Sequence, residues 1–529
     1  MSGAKVLSTG GLTALAAATL ACLVLAVAPN RTEAGAPPPA HCPAIAGSVD
    51  VTKASIQQIR AALLRGSVTS RQLTETYLAR IAAVNRTGPK LNAVIMTAPD
   101  ALAQADAADQ AIAAGESRGR LAGVPILIKD NLDTHDMPTT AGAKAMLGDP
   151  PPTDAFVTAR LRAAGAVILG KANMSEWATA IAPRAGLGFS NVGGRLANPY
   201  GGYNTSGSSN GSAIAASSSL AAGTVGSETQ GSIVLPSFIN SAAGIKPTLG
   251  LVSRGGVVPL IPTFDTPGPI ARDLSSAALM LGLMTGIDPR DPATRSQRGH
   301  VPRDYQRFLR SDGLKGARIG VTPNVGEGPT DRILGKGRIT KTLARQGATV
   351  LPIPEDLADA GAPSRGGPAD FKQGLNRYLE ERGPTSPMKS LAEVIEFNRA
   401  GGKAAIKFGQ EFLLDAEAVS RADEVKGPKI LKRFRAETHR VIERAMNRHD
   451  LDAILVPRVI AAITATSAGH PHVTVQAGYL KGRPFGMVLV GRRWSEGKLI
   501  SYGSDFEKAT RAYRSPARFN PAFATACSR

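Results

Sequence analysis

The chain has 529 residues, 43% hydrophobic and 20% charged, with a formal net charge of +20. That composition describes a globular protein with a large core and excludes a disordered chain; 57 Gly and 37 Pro without a triplet period exclude collagen. An aromatic content of 5% argues against a carbohydrate- or base-stacking surface.

Residues 1–36 carry Lys5 and then an apolar run from Leu12 to Ala28. Small residues stand at the −3 and −1 positions of Ala26-Val27-Ala28 and Thr32-Glu33-Ala34. This is the pattern of an export signal cleaved between about residues 28 and 36. It predicts a secreted or periplasmic protein with no membrane anchor after removal. Cys22 leaves with that segment, so Cys42 and Cys527 remain. In an oxidising compartment they predict a disulfide tying the two ends, the alternative being two unrelated thiols. The cysteines are too few for a zinc cluster.

After Pro37-Pro38-Pro39, residues 53–85 carry two helical patterns broken at Gly66-Ser67, and Ala101–Gly115 a third. A strand at Val124–Ile128, a helix at 154–164, a strand at Ala166–Leu169 and a helix at 212–222 follow. Such alternation implies an α/β fold with a mixed or parallel sheet covered by helices. Residues 300–450 are richer in helix, with strand-like Ile319–Val321 and Val350–Ile353 between, and read as an insertion. Strand patterns return at Ala453–Val456, His472–Gln476 and Phe485–Val490, before a helix from Glu496 to Arg511. Residues 37–529 are expected to form one large domain. Lys426, Lys429, Lys432, Arg433 and Arg435 interleave with apolar residues at helical spacing and read as a solvated helix face. No nucleic-acid partner is therefore expected.

Residues 201–241 stand apart: rich in Ser and Gly, without Lys, Arg or Asp, and with Glu228 as their one acidic residue. A flexible linker would fit that composition. The apolar runs Ala213–Ala216, Leu220–Ala222 and Ile233–Leu235 instead point to ordered backbone, as a site presenting many N–H groups needs. Three nucleophile patterns compete. Gly207-Ser208-Ser209-Asn210-Gly211 spells G-x-S-x-G, but a turn-rich loop precedes it rather than a strand, and nothing marks His470 or His472 as its partner. Ser386 with Lys389, and Ser495 with Lys498, match S-x-x-K without the companion elements. Ser232 lies in Gly226-Ser227-Glu228-Thr229-Gln230-Gly231-Ser232-Ile233, where consecutive N–H donors could form an oxyanion hole.

The third pattern is part of a wider resemblance. Gly123–Asn131 and Met137–Gly142 resemble the lysine motif of the amidase signature family, and residues 155–177 its next block. Residues 207–248 are similar to its signature region; Asp265–Pro269 and residues 469–506 also fit. The helical stretch 371–418 looks most like the exported peptide-amidase branch. The resemblance implies the amidase signature fold, a central mixed twisted sheet covered on both sides by helices. It also implies hydrolysis of a small or peptide amide through Lys129, Ser208 and Ser232, with a cis bond between Gly207 and Ser208, Ser209 in support, and no metal or cofactor. Ser208 and Ser232 are 24 positions apart, the family's usual separation.

The chemistry asks for such a set. A serine hydroxyl needs a base, and lysine serves only when burial keeps it neutral. Strand alternation would turn Asp130 away from it. Ser208 would relay the proton, and the N–H groups of Thr229, Gln230, Gly231 and Ser232 would hold the oxyanion. Ser206, Asn210 and Gln230 depart from the family pattern, which has Gly, or Asp in the peptide-amidase-like branch, at 230. An unusual backbone angle at 230 would make Gln230 a distortion. The rival readings are an inactive binding protein on the same fold, and an amidotransferase-like component, against which the export signal argues. Oligomeric state is not written in the sequence.

Overall fold

In the computed structural model, residues 42–527 are described, apart from 117–118, 181–186, 323–336, 356, 358–365 and 457–463. The expected export signal and its cleavage range lie outside the described residues.

Eleven strands form one mixed sheet. In chain order they are β1 (Val94–Thr97), β2 (Pro125–Lys129), β3 (Val167–Ala172), β4 (Gly223–Glu228), β5 (Ala243–Lys246), β6 (Thr266–Ala271), β7 (Arg318–Val321), β8 (Thr349–Pro352), β9 (Ala453–Leu455), β10 (His472–Leu480) and β11 (Arg483–Gly491). Their spatial order is β8-β7-β9-β11-β10-β5-β6-β4-β2-β3-β1. β2 runs parallel to both β3 and β4 and is buried along its whole length. A strand covered on both faces reads as a continuous apolar run, which is why Val124–Ile128 was legible. β7 and β8 lie within the stretch expected as an insertion, yet they extend the central sheet.

Helices flank the sheet: α1 (Ile56–Leu64), α2 (Ser70–Val84), α3 (Ala101–Ala113), α4 (Phe156–Ala163), α5 (Asn210–Ser217), α6 (Val234–Ile239), α7 (Leu274–Met284), α8 (Gly367–Arg382), α9 (Arg421–Arg448), α10 (Glu496–Thr510) and α11 (Pro521–Cys527). α1 and α2 each begin with a capping box, Ser55 with Gln58 and Thr69 with Gln72. The helix expected over 212–222 is shorter. It stops at Ser217, Ser219 takes a φ of 53°, and the buried Arg80 guanidinium donates to Ser218 O at 2.9 Å and Ser219 O at 2.7 Å. Those bonds satisfy carbonyls that a helix end leaves without partners. The chain then enters β4. Phe371 and Leu375 of α8 join a second apolar cluster with Met146, Trp177, Leu391 and Leu413.

Cys42 and Cys527 are disulfide-bonded, 485 residues apart in sequence with Cα atoms 4.6 Å apart. Among the described residues no helix is long and apolar enough to cross a membrane.

Candidate active site

β2 ends on Lys129, and alternation sends Lys129 and Asp130 to opposite faces. Asp130 pairs with Lys171 at 3.3 Å and accepts from the Thr140 hydroxyl. Lys129, fully buried, faces serines instead: Nζ donates to Ser208 Oγ at 2.9 Å, Ser227 Oγ at 2.9 Å and Ser227 O at 3.2 Å. Burial pulls its pKa down to about 7, against the pull of Asp265 and Glu228. A neutral amine has two N–H groups and one lone pair, so one facing hydroxyl must then donate to it. Ser227 Oγ is also in contact with Asn131, at 3.0 and 3.3 Å. Ser208 Oγ has no other partner among the described residues, and its proton is the one free to point at Nζ.

The Gly207–Ser208 peptide is cis. A Cβ on Gly207 would come within 2.5 Å of Ser175 Oγ and displace that hydroxyl from its bonds with Gly188 N and Asn210 Nδ2. Ser208 O accepts from Ser175 N at 3.2 Å, and Ser209 N donates to Ser232 O at 3.1 Å, tying the two serine segments together. Lys129 and Ser208 are completely buried, whereas Ser232 keeps 7% of its surface. Ser232 is therefore the member of the three that a solvent-borne molecule meets. No hydrogen bond joins the Ser208 and Ser232 hydroxyls; the relay is in contact on its lysine side only.

Between β4 and α6 the backbone turns so that, among the described residues, the N–H groups of Thr229, Gln230, Gly231 and Ser232 donate to nothing. Four consecutive free donors beside a serine form a concavity for negative charge. Two acids and an amide hold this loop. Glu228 Oε2 accepts from Ile233 N at 2.7 Å and Val234 N at 2.9 Å, and its Oε1 from Thr466 Oγ1 at 2.6 Å. Asp265 accepts from Thr229 Oγ1 at 2.5 Å and from Leu260 N at 2.9 Å. The Gln230 amide donates to Ser467 Oγ at 3.1 Å. The left-handed residue is Gly231, with φ 91°, and a Cβ there would meet the Leu235 side chain at 2.8 Å. Gln230 thus stands beside the demanding position, not on it. Ser206 does take a left-handed φ, 58°, and the Asn210 amide braces its carbonyl at 3.0 Å.

The other patterns do not assemble. Ser209 Oγ is spent on Ser227, donating to its carbonyl at 2.9 Å and accepting from its N–H at 3.1 Å. His470 Nδ1 donates to Gly491 O at 2.8 Å and His472 Nδ1 to His470 O at 3.0 Å, so neither partners Ser209. Lys389 is an exposed residue bonded to carbonyls, and Lys498 pairs with Asp452 at 3.0 Å. Sequence reasoning quoted Asn131, Ser227 and Asp265 within motifs without giving them a role, and it did not single out Thr466. Its one available signal was Glu228, the single acid in a segment otherwise free of charge.

Glu228→Gln is expected to lower the turnover number for amide hydrolysis about ten- to a hundredfold while the circular dichroism spectrum stays unchanged. The change weakens charge-assisted bonds worth about 1.5–3 kcal/mol each that hold the loop.

A family model described as Amidase matches residues 72–500. A probable amidase of Arabidopsis thaliana is 40% identical over 490 residues, covering 90% of this chain and 93% of its own. One component of the glutamyl-tRNA(Gln) amidotransferase of Alkalilimnicola ehrlichii is 32% identical, covering 87% and 98%. The crystal structure of the native peptide amidase of Stenotrophomonas maltophilia superposes with a TM-score of 0.82 at 38% identity, covering 88% of this chain and 98% of that one. With the sheet, the buried lysine and the serine-rich loop in place, the chain belongs to the amidase family, and its reaction is the hydrolysis of a carboxylic amide.

Proposed function

We propose that this amidase works through Ser232 as nucleophile, Ser208 as proton relay and Lys129 as base. The observation that carries this reading is the fully buried Lys129, hydrogen-bonded to Ser208 at 2.9 Å, with its charge disfavoured by burial. Neutral Lys129 takes the Ser208 proton as Ser208 takes that of Ser232. Ser232 Oγ bonds to the amide carbon, and the free N–H groups of residues 229–232 stabilise the oxyanion. The C–N bond breaks as the proton returns through Ser208 to the leaving nitrogen. Water attacks the acyl-enzyme along the same relay and releases the acid. Nothing in these steps calls on a metal or cofactor.

The likeness to a peptide amidase supports a peptide C-terminal amide as substrate. The signal-like residues 1–36 and the Cys42–Cys527 bond support action outside the cytosol. A fluorophosphonate probe, with ammonia release from a panel of peptide, aryl and aliphatic amides, tests the assignment. Labelling at Ser232, lost in Lys129→Met, is the expected result. A folded chain that takes no label and releases no ammonia would be a binding protein on the same fold.

The base must be unprotonated, so activity rises with pH. With Lys129 titrating near 7, kcat/KM is expected to climb about tenfold per pH unit below 7 and to level off above it. A pH-independent profile from 5 to 9 would rule Lys129 out as the titrating base.

A further inference from the structure

On the far side of the segment 464–470, two histidines and a glutamate converge. α9 carries His439 and Glu443 four residues apart, hence on one helix face. His470 meets them from the end of the 464–470 segment, whose Thr466 and Ser467 touch Glu228 and Gln230. His439 Nδ1 and His470 Nε2 are 2.9 Å apart, and Glu443 Oε1 is 4.0 Å from His470 Nε2. The donor atoms all lie within 4.8 Å of one another.

We infer that His439, Glu443 and His470 form a binding site for a divalent transition metal of the zinc class, separate from the amide-cleaving serines.

The donor set is two imidazoles and one carboxylate, which suits zinc and its neighbours. Tetrahedral zinc with bonds of about 2.1 Å spaces its donors about 3.4 Å apart. The observed spacing brackets that value. His470 Nδ1 donates to the Gly491 carbonyl at 2.8 Å, which fixes the ring and leaves Nε2 as a bare lone pair. That backbone bond is the kind of outer contact that orients metal-ligating histidines. His439 now supplies the proton between the rings; moving it to Nε2 frees Nδ1 with no net proton release. Glu443 uses Oε2 for Arg492 and leaves Oε1 toward the histidines. His439 opens on a cavity of about 420 Å³ lined also by Lys432, Arg435 and Arg493. That cavity is the entry path. Its cations favour a small anion or hydroxide as fourth ligand.

The test is titration of the chelator-treated full chain with Zn²⁺ by calorimetry, and with Co²⁺ by its visible absorption. One metal per chain is expected, with four-coordinate Co²⁺ bands. His439→Ala and Glu443→Gln, both at partly exposed positions on α9, should each weaken binding tenfold or more, and Lys129→Met should leave it unchanged. Absence of saturable binding, or binding unaltered by His439→Ala, overturns the assignment.

Discussion

Ser232→Ala loses about 10⁶-fold in turnover, the scale seen when the nucleophile of a serine hydrolase is removed. The loss arises in chemistry, not in folding. Among the described residues the Ser232 hydroxyl makes no hydrogen bond to the surrounding frame, while its backbone carbonyl, which does, is untouched by the change. KM for an amide should move little, since the oxyanion donors belong to the backbone. The measurement is single-turnover hydrolysis on variant protein purified with fresh columns, with the thermal transition recorded alongside. Retention of more than a few per cent of activity would remove Ser232 from the mechanism.

Lys129→Met comes second, with an expected loss of about 10⁴-fold, the upper range for a positioned acid–base group. Methionine fills similar volume without the nitrogen, so the pocket stays packed. The same substitution has a thermodynamic signature. In the unfolded chain the amine titrates near its ordinary 10.5, and in the folded one near 7. Between those values the unfolded state binds the extra proton, so stability of the wild type rises with pH across that window. Below pH 7 both states are protonated and the dependence vanishes. In Lys129→Met the slope between 7 and 10.5 should be smaller by that one proton, as read from denaturant midpoints against pH. A folded protein with an unchanged slope would mean that Lys129 is charged when folded.

Much of the sheet was legible because its strands are regular. β2, β3 and β11 carry apolar runs, and β10 alternates Val473, Val475 and Ala477 with polar residues; both patterns announce strands. β4 and β6 show neither. Gly223–Glu228 has a single aliphatic side chain, Val225, and Thr266–Ala271 contains Pro267 and Pro269. Prolines argue against an interior strand, yet β6 lies between β5 and β4. Standing two apart, they lack N–H groups on the same side of the strand, and toward β5 the ladder engages only Ile270 and Ala271. The missing donors had no partner there to lose.

For the site, the motif residues Lys129, Ser208 and Ser232 could be singled out before any coordinates. The groups that hold them could not. Ser227 meets Lys129 across 98 positions, and Thr466 meets Glu228 across 238. Such contacts are created by strand order, and no local pattern encodes them. The concern over Gln230 turned on a single dihedral: whether an unusual backbone angle falls at 230 is not written in the sequence, and the backbone places the left-handed angle at Gly231.

The bond between Cys42 and Cys527 makes the polymer topologically a ring. It spans 485 residues, and in the chain-entropy picture closing so long a loop removes about 6 kcal/mol of unfolded-state freedom. A protease that cuts once in a surface loop then produces no fragment that can diffuse away, because both halves stay covalently joined. The two ends can also serve as one hinge point. Joining them by a short peptide and opening the chain elsewhere should yield a circular permutant with the same sheet. An enzyme closed in this way depends on the redox state of its surroundings for its resistance to nicking.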